Sequence, residues 1–204
     1  MLKSNQYKVG SALNFSYLLW DTETREAAVV DPSFDTAEVE YAISSGGLKL
    51  KYILLTHHHY DHVQEAGPLS GKTGARVVTH SSSTIPHAVG LDDGESVRLG
   101  SIVISLIHTP GHTADSSCYL ADGKLYTGDT LFVGECGRVD LEDSSPEKMY
   151  ESLLVRLSSL PDSVAVYPGH DYGKTPFSTI GEEKRTNYTM QKRSRDEFLR
   201  FITS

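Results

Sequence analysis

Four side chains able to hold a metal ion fall within one short run, His57-His58-His59-Tyr60-Asp61-His62: His57, His59, Asp61 and His62. Imidazole nitrogen and carboxylate oxygen suit zinc, iron or manganese and discriminate little among them. Such a run cannot be a buried core element, because unpaired histidines and a carboxylate are costly to desolvate. The plain alternative is a solvated polar loop. Three further polar residues stand at turns that follow apolar strands. They are His112 in Thr109-Pro110-Gly111-His112-Thr113, Asp129 in Thr127-Gly128-Asp129-Thr130, and His170 in Tyr167-Pro168-Gly169-His170-Asp171. A glycine beside each lets the backbone approach closely or turn sharply. Separate strand ends delivering one candidate ligand each is how a metal site on a sheet edge would be assembled.

A metal centre with open positions lowers the pKa of bound water, polarises a carbonyl and stabilises the oxyanion that forms on attack. Hydrolysis is therefore the default chemistry, and no serine or cysteine nucleophile stands beside these motifs. Cys118 lies in an apolar run and reads as a small buried hydrophobe. With Cys136 as the only other cysteine, there is no disulfide framework. His58 sits between two candidate ligands and should point elsewhere. His80, His87 and His108 match none of these patterns and read as surface or structural.

Such ligands need strands that end together. Residues 14–20 and 26–30 are apolar runs around a polar turn and read as a β-hairpin ending at Asp31-Pro32. Residues 35–45 read as a helix stopped by Gly46-Gly47. Residues 51–55 form the strand that delivers the histidine run, and a helix is expected from near His62 to about Gly74, then a strand over 76–79. Residues 96–108 hold two strands turned at Leu99-Gly100-Ser101, and 116–120 with 124–127 form another hairpin. Ser145-Pro146 opens a helix to about Ser159, ended by Pro161. Residues 164–167 are the last strand, followed by a helical tail over about 182–201. Strands mixed with separate helices place the chain in the α+β or layered α/β class.

At 204 residues the chain can bury a real core without disulfides or metal. No linker, repeat or low-complexity segment divides it, so one domain is expected over 1–204, with a short helical tail from about 181. That tail reads as a solvated helix packed on the domain, with a substrate lid or a homo-oligomer contact as alternatives. A formal charge of −8 argues against a nucleic-acid partner. No apolar run is long enough to span a membrane, and Met1-Leu2-Lys3-Ser4-Asn5-Gln6 lacks the apolar core of a signal peptide. The expected setting is cytoplasmic and the expected partner a small molecule, with neither membrane nor nucleic acid involved.

Taken in order, H-x-H-x-D-H, Gly111-His112, Gly128-Asp129 and Gly169-His170 resemble the motifs of the metallo-β-lactamase superfamily. The resemblance runs over nearly the whole chain, and Asp31 resembles the aspartate that ends an early strand in that family. It implies an αββα sandwich, two β-sheets flanked by helices, with metals at one edge. It also implies one metal on His57, His59 and His112, a second on Asp61, His62 and His170, and Asp129 bridging the two. Two divalent ions follow, zinc first, with iron or manganese as alternatives. Asp61 would also orient the attacking hydroxide, so Asp61 and Asp129 are the catalytic candidates.

Thr56-His57-His58-His59, Thr127-Gly128-Asp129-Thr130-Leu131-Phe132 and Cys136-Gly137-Arg138 resemble the glyoxalase II branch, the hydroxyacylglutathione hydrolases. In that branch the positions of Arg138 and Tyr172 help hold the glutathione part of the thioester. The run Cys136-Gly137-Arg138-Val139-Asp140, His170-Asp171-Tyr172 and residues 178–187 also resemble persulfide dioxygenases. Those enzymes share the fold but use one iron on two histidines and one carboxylate, here His57, His112 and Asp129, and oxidise glutathione persulfide with dioxygen. The expectation taken forward is a thioesterase using a metal-bound hydroxide, with the mononuclear iron dioxygenase as the alternative. His58 and Thr130-Leu131-Phe132 match the hydrolase version better.

Overall fold

Side chains of a strand alternate between its two faces, and along β2 (Asn14–Asp21) they alternate between two cores. Phe15, Tyr17 and Leu19 enter one apolar cluster, whereas Leu18 and Trp20 enter another. Both faces of the strand are therefore covered, one by a second sheet and the other by helices. The computed structural model describes residues 1–203.

The first sheet has the order β1-β2-β3-β4-β5-β6, with β1 (Leu2–Val9), β3 (Glu26–Val30), β4 (Lys49–Leu54), β5 (Arg76–His80) and β6 (Val89–Leu91) joining β2. β2 runs antiparallel to β1 and β3, and β3 through β6 are parallel. The second sheet runs β12-β11-β10-β9-β8-β7. Its strands are β7 (Ser96–Leu99), β8 (Ile102–His108), β9 (Ser117–Ala121), β10 (Lys124–Gly128), β11 (Ala165–Pro168) and β12 (Ser178–Thr179). Only β10 and β11 pair in parallel there.

Between the sheets lie Phe15, Tyr17, Leu54, Ile104, Tyr119 and Tyr126. The outer face of the first sheet is covered by α1 (Ala37–Ser45), α2 (Tyr60–Val63) and α3 (Ala66–Thr73), with Val39, Ala66 and Leu69 packed on Leu18, Val29 and Ile53. The outer face of the second is covered by α4 (Pro146–Tyr150), α5 (Ile180–Thr186) and α6 (Arg195–Ile202). There Met149, Leu153, Ile180 and Phe198 pack on Cys118, Leu125 and Val166. This is the expected αββα sandwich. Each fully buried leucine contributes about 1.5–3 kcal/mol, so three such clusters hold the scaffold from within. Among the described residues no helix is long and apolar enough to cross a membrane.

Several expected elements differ. The strand β1 was not expected, because Lys3, Ser4, Asn5 and Gln6 give it no apolar face; it is a polar edge, paired with β2 from Leu2 opposite Asp21 to Val9 opposite Asn14. The short strands β6 and β12 also went unread. The helix expected over 62–74 is two helices, since Pro68 cannot donate to the Gln64 carbonyl and must sit in a first turn. The helix opened by Ser145 continues from α4 as a π-helical stretch, Glu151–Arg156, and a 3-10 turn, Leu157–Ser159. The tail is likewise two helices. It breaks at Asn187, whose buried amide turns inward to the carbonyl oxygens of Phe132 and Glu135 and to Glu183. It restarts at a capping box formed by Ser194 and Glu197.

Candidate metal centre

Strands β3 and β4 are parallel neighbours, as are β10 and β11, so each pair delivers its carboxyl ends to one edge. The residues just beyond those ends are Asp31, Thr56 with His57, Asp129, and His170. The turn after β8 adds His112. The two sheets are stitched together at this edge by a bridge between Asn14 and His170, and by hydrogen bonds from the Phe15 N–H to the Gly169 carbonyl and from the Ser117 N–H to the Thr56 carbonyl. Close approach demands glycine at two points. A Cβ on Gly169 would lie 2.5 Å from Asp129 Oδ1, and one on Gly128, at φ +48°, would lie 2.3 Å from Thr56 Oγ1.

The hydrogen bonds around the histidines fix which ring nitrogen carries the proton. Thr56 gives both its N–H and its hydroxyl to Asp31, at 2.8 and 2.6 Å. Its oxygen is then left to accept from His57 Nδ1 at 3.0 Å. His62 Nδ1 donates to Asp31 Oδ2 at 2.9 Å, His112 Nδ1 to the Arg138 carbonyl at 2.9 Å, and His170 Nδ1 to the Ala12 carbonyl at 2.9 Å. Each of these four rings has one nitrogen committed to a fixed acceptor, as metal-ligating histidines do. In its neutral form, the form that takes a metal, each ring then presents a lone pair on Nε2.

Those lone pairs meet. His57 Nε2 and His112 Nε2 lie 3.1 and 3.0 Å from His59 Nδ1, and His62 Nε2 lies 3.2 Å from His170 Nε2. Facing lone pairs at that distance repel unless a proton or a cation stands between them. The ligand atoms of His57, His59 and His112 form one group within 4.8 Å, and those of Asp61, His62 and His170 form another. Asp129 lies between the groups: Oδ1 is 3.3 Å from His62 Nε2, and Oδ2 is 3.5 and 3.4 Å from Nε2 of His112 and His170. Its buried Oδ1 accepts no hydrogen bond. A buried carboxylate oxygen without a donor, set among converging nitrogen lone pairs, fits one or two divalent cations.

The charges here are coupled. Burial works against a charged His62, yet Asp129, Asp31 and Asp61 together raise its pKa to about 9. Burial also opposes ionisation of Asp129, but His62, His170 and His57 outweigh it and hold the carboxyl well below the usual range. His57 is pushed well down, first by burial and then by His62, and His59 is lowered by burial and by His112. His170 is raised despite its burial, because Asp129 faces it. The carboxylates thus favour positive charge at His62 and His170, while His57 and His59 are held towards the neutral form.

The structure thus brings together His57, His59, Asp61, His62, His112, Asp129 and His170. Tyr172 stands beside them, its ring stacked on His170 at 4.6 Å and its hydroxyl 3.5 Å from the Ala12 carbonyl. Arg138 reaches the group through its backbone carbonyl, while its guanidinium forms a two-point ion pair with exposed Asp140 at 2.7 and 2.8 Å. His58 turns away, bonded to Asp115 at 2.8 Å. His80 and His108 stack on each other, and His87 is exposed. Burial pushes the thiols of Cys118 and Cys136 up to about 12, which leaves neither as a nucleophile. Two participants were missed in the sequence. Thr56 is signalled by its place between strand and first histidine. Asn14, which donates to the Asp61 carboxylate at 3.0 Å, looked only like the polar start of an apolar strand.

The family model for the metallo-beta-lactamase superfamily matches residues 12–101 and 82–170. A probable polyketide biosynthesis zinc-dependent hydrolase, PksB of Bacillus subtilis, is 34% identical over 93% of this chain and 87% of its own length. The mitochondrial persulfide dioxygenase ETHE1 of Homo sapiens is 33% identical over 92% of this chain and 75% of its own length. A hydroxyacylglutathione hydrolase of Pseudomonas aeruginosa is 40% identical over 78% of this chain, which spans 62% of that protein. Among solved structures, ETHE1 from Myxococcus xanthus superposes with a TM-score of 0.93 at 34% identity, covering 99% of this chain and 90% of that one.

Proposed function

The chain belongs to the metallo-β-lactamase superfamily, and from that premise we propose that it is a metal-dependent hydrolase of thioesters, acting on a hydroxyacyl-glutathione or a similar ester of a small thiol. The set of seven candidate ligand side chains, arranged as two groups with Asp129 between them, supports a metal enzyme of either kind. The observation that favours the hydrolase is the match of His58 and Thr130-Leu131-Phe132 to the glyoxalase II branch. Relatives whose names include a zinc-dependent hydrolase and a hydroxyacylglutathione hydrolase support it.

Bound there, two divalent ions, zinc first, would acidify a water near neutral pH and polarise the thioester carbonyl. The chain's own residues do the rest. Asp61 Oδ2 lies 3.5 Å from His170 Nε2 and 3.6 Å from His62 Nε2, on the open side of the group, where a carboxylate can hold the attacking oxygen by its proton. Asp129 places the negative charge that both groups share. No strong general acid is required, because a thiol with a pKa near 8.5 leaves as the thiolate. Tyr172, on the rim beside His170, offers an aromatic face to the thiol carrier. Arg138 offers a cation once it releases Asp140. If that role is right, Arg138→Ala raises KM more than it lowers kcat; a large fall in kcat at unchanged KM would count against it. We read residues 1–204 as one catalytic domain with a short helical tail.

A second reading is supported by the 33% identity to a persulfide dioxygenase over 92% of the chain. It uses His57, His112 and Asp129 on a single iron. One experiment separates the two: metal analysis of protein purified without added metal, paired with hydrolysis of lactoyl-glutathione and oxygen uptake with glutathione persulfide. Two equivalents of metal with thioesterase activity supports the hydrolase. One iron with oxygen uptake overturns it.

A further inference from the structure

Asn14 opens β2 and is fully buried. Its amide nitrogen donates to the Asp61 carboxylate Oδ2 at 3.0 Å and to the Asp61 backbone carbonyl at 3.2 Å, and lies 3.5 Å from His62 Nε2. The other end of the amide, Oδ1, is buried and accepts no hydrogen bond. Turning the amide over would set its oxygen against both Asp61 oxygens, so its orientation is forced. The fold therefore leaves a buried carbonyl unpaired, an unfavourable arrangement, in order to aim an N–H at Asp61.

The Asp61 oxygen that Asn14 holds is also the one that faces the nitrogens of His62 and His170. Ser33 secures the other side of the residue, donating its hydroxyl to the Asp61 backbone carbonyl. Asp61 lies in the first turn of the four-residue helix α2, is part exposed, and makes no other side-chain hydrogen bond among the described residues. Without Asn14 its carboxylate is free to rotate into solvent. The first group, His57, His59 and His112, has its own supports in Thr56 and the Arg138 carbonyl, and among the described residues the Asn14 side chain makes no hydrogen bond to any of its members.

We propose that Asn14 is a positioning residue for the second metal group alone, holding the Asp61 carboxylate where it can ligate, and that it thereby sets whether the centre carries one ion or two. This rests on the two-group reading of the site, though not on the identity of the substrate. Carboxylates that ligate metals depend on such partners, and losing one weakens binding by roughly 10–100-fold.

The test is titration of metal-free protein with zinc, against a competing chromophoric chelator, for the wild type, Asn14→Leu and Asn14→Ala. Leucine keeps the branched shape of asparagine without its donor, alanine removes the donor without adding bulk, and retained first-step binding shows that a variant is folded. The expected result is a first step unchanged within about twofold and a second weakened by roughly 10–100-fold. A second step as tight as in the wild type overturns the proposal. So does parallel weakening of both steps, which would mark Asn14 as merely structural, and so does a wild type that takes up one equivalent only. A wild type that binds two equivalents yet hydrolyses no thioester would remove the proposed function and leave the Asn14 result standing.

Discussion

Two sets of histidines in this protein have opposite fates. At the sheet edge, His57, His62, His112 and His170 each give one nitrogen to a fixed acceptor and turn the other towards its neighbours. A short distance away, His58 faces Asp115 with one nitrogen and Asp143 with the other, at 2.8 and 3.5 Å. His80 and His108 stack face to face at 3.6 Å, with Ser82 and the Ala114 carbonyl as their polar partners. Both sets are rich in histidine and close to carboxylates. What separates a candidate ligand from a structural histidine is where the second nitrogen is sent, and no single residue type announces that.

The comparison breaks most visibly if the wrong set holds the metal. His57→Ala should remove metal from the first group and abolish activity, a fall of at least about a thousandfold for a group that acts as a unit with its neighbours. His58→Ala should keep both metal content and activity. Metal analysis and the thioester assay on the two variants read this directly, and full activity in the His57 variant would sink the site assignment.

A smaller effect is expected one bond further out. Thr56→Val keeps the shape of the side chain but removes the oxygen that accepts from His57 and the hydroxyl that reaches Asp31. Metal affinity of the first group should fall by roughly 10–100-fold. The matched change in the other set, Ser82→Ala beside His80, should leave metal affinity where it was. Equal affinities for the wild type and the Thr56 variant would mean that the ring of His57 is oriented by packing alone.

These partners also explain what could be read in the sequence. Strand ends were legible because apolar runs followed by the histidine run, Gly-Asp or Gly-His are local patterns; β4, β10 and β11 lie within one or two residues of their expected positions. The family resemblance then ordered the ligands into two groups, which spacing alone does not do. Thr56 carried only the signal of its place before His57, and Asn14 carried none, because its role depends on residues brought close only by folding. Asn14 meets Asp61 across 47 positions of chain. β1 was hidden for another reason: a polar edge strand carries no alternation to detect. The break at Pro68 was present in the sequence, whereas Asn187 is one polar residue in a polar tail, and its inward turn to Phe132 and Glu135 exists only in the fold.

The third prediction concerns the quiet set. His58→Ala leaves Asp115, which is 2% exposed, with the hydroxyls of Thr113 and Ser83 as its remaining partners. Leaving a buried carboxylate short of a partner costs about 1–3 kcal/mol. Burial raises the Asp115 pKa, but Ser83, His58 and Thr113 outweigh it and hold the carboxyl below its ordinary value. Stability from this group is therefore present above the ordinary carboxylate pKa and is lost as pH falls through the lowered one. In denaturant melts, the His58 variant should show lower stability at neutral pH and a smaller further loss on acidification, with metal content unchanged.

The smallest effect is expected at the stacked pair. His80 is lowered first by burial and then by His108, while Asp92, Asp115 and Asp93 pull it the other way. A lowered histidine favours the neutral ring in the folded state, so its contribution is intact above the ordinary imidazole pKa of about 6.5 and is lost as pH falls through the lowered value. His80→Phe keeps an aromatic ring against His108 and removes that titration. The loss of stability between pH 7.5 and 5.5 should then shrink by less than about 1 kcal/mol, within the range of mild substitutions. The measurement belongs on metal-loaded protein, where the candidate ligand histidines do not add their own slope. An identical slope in both proteins would mean that the stack does not resist protonation, and the quiet set would then differ from the metal set in position only.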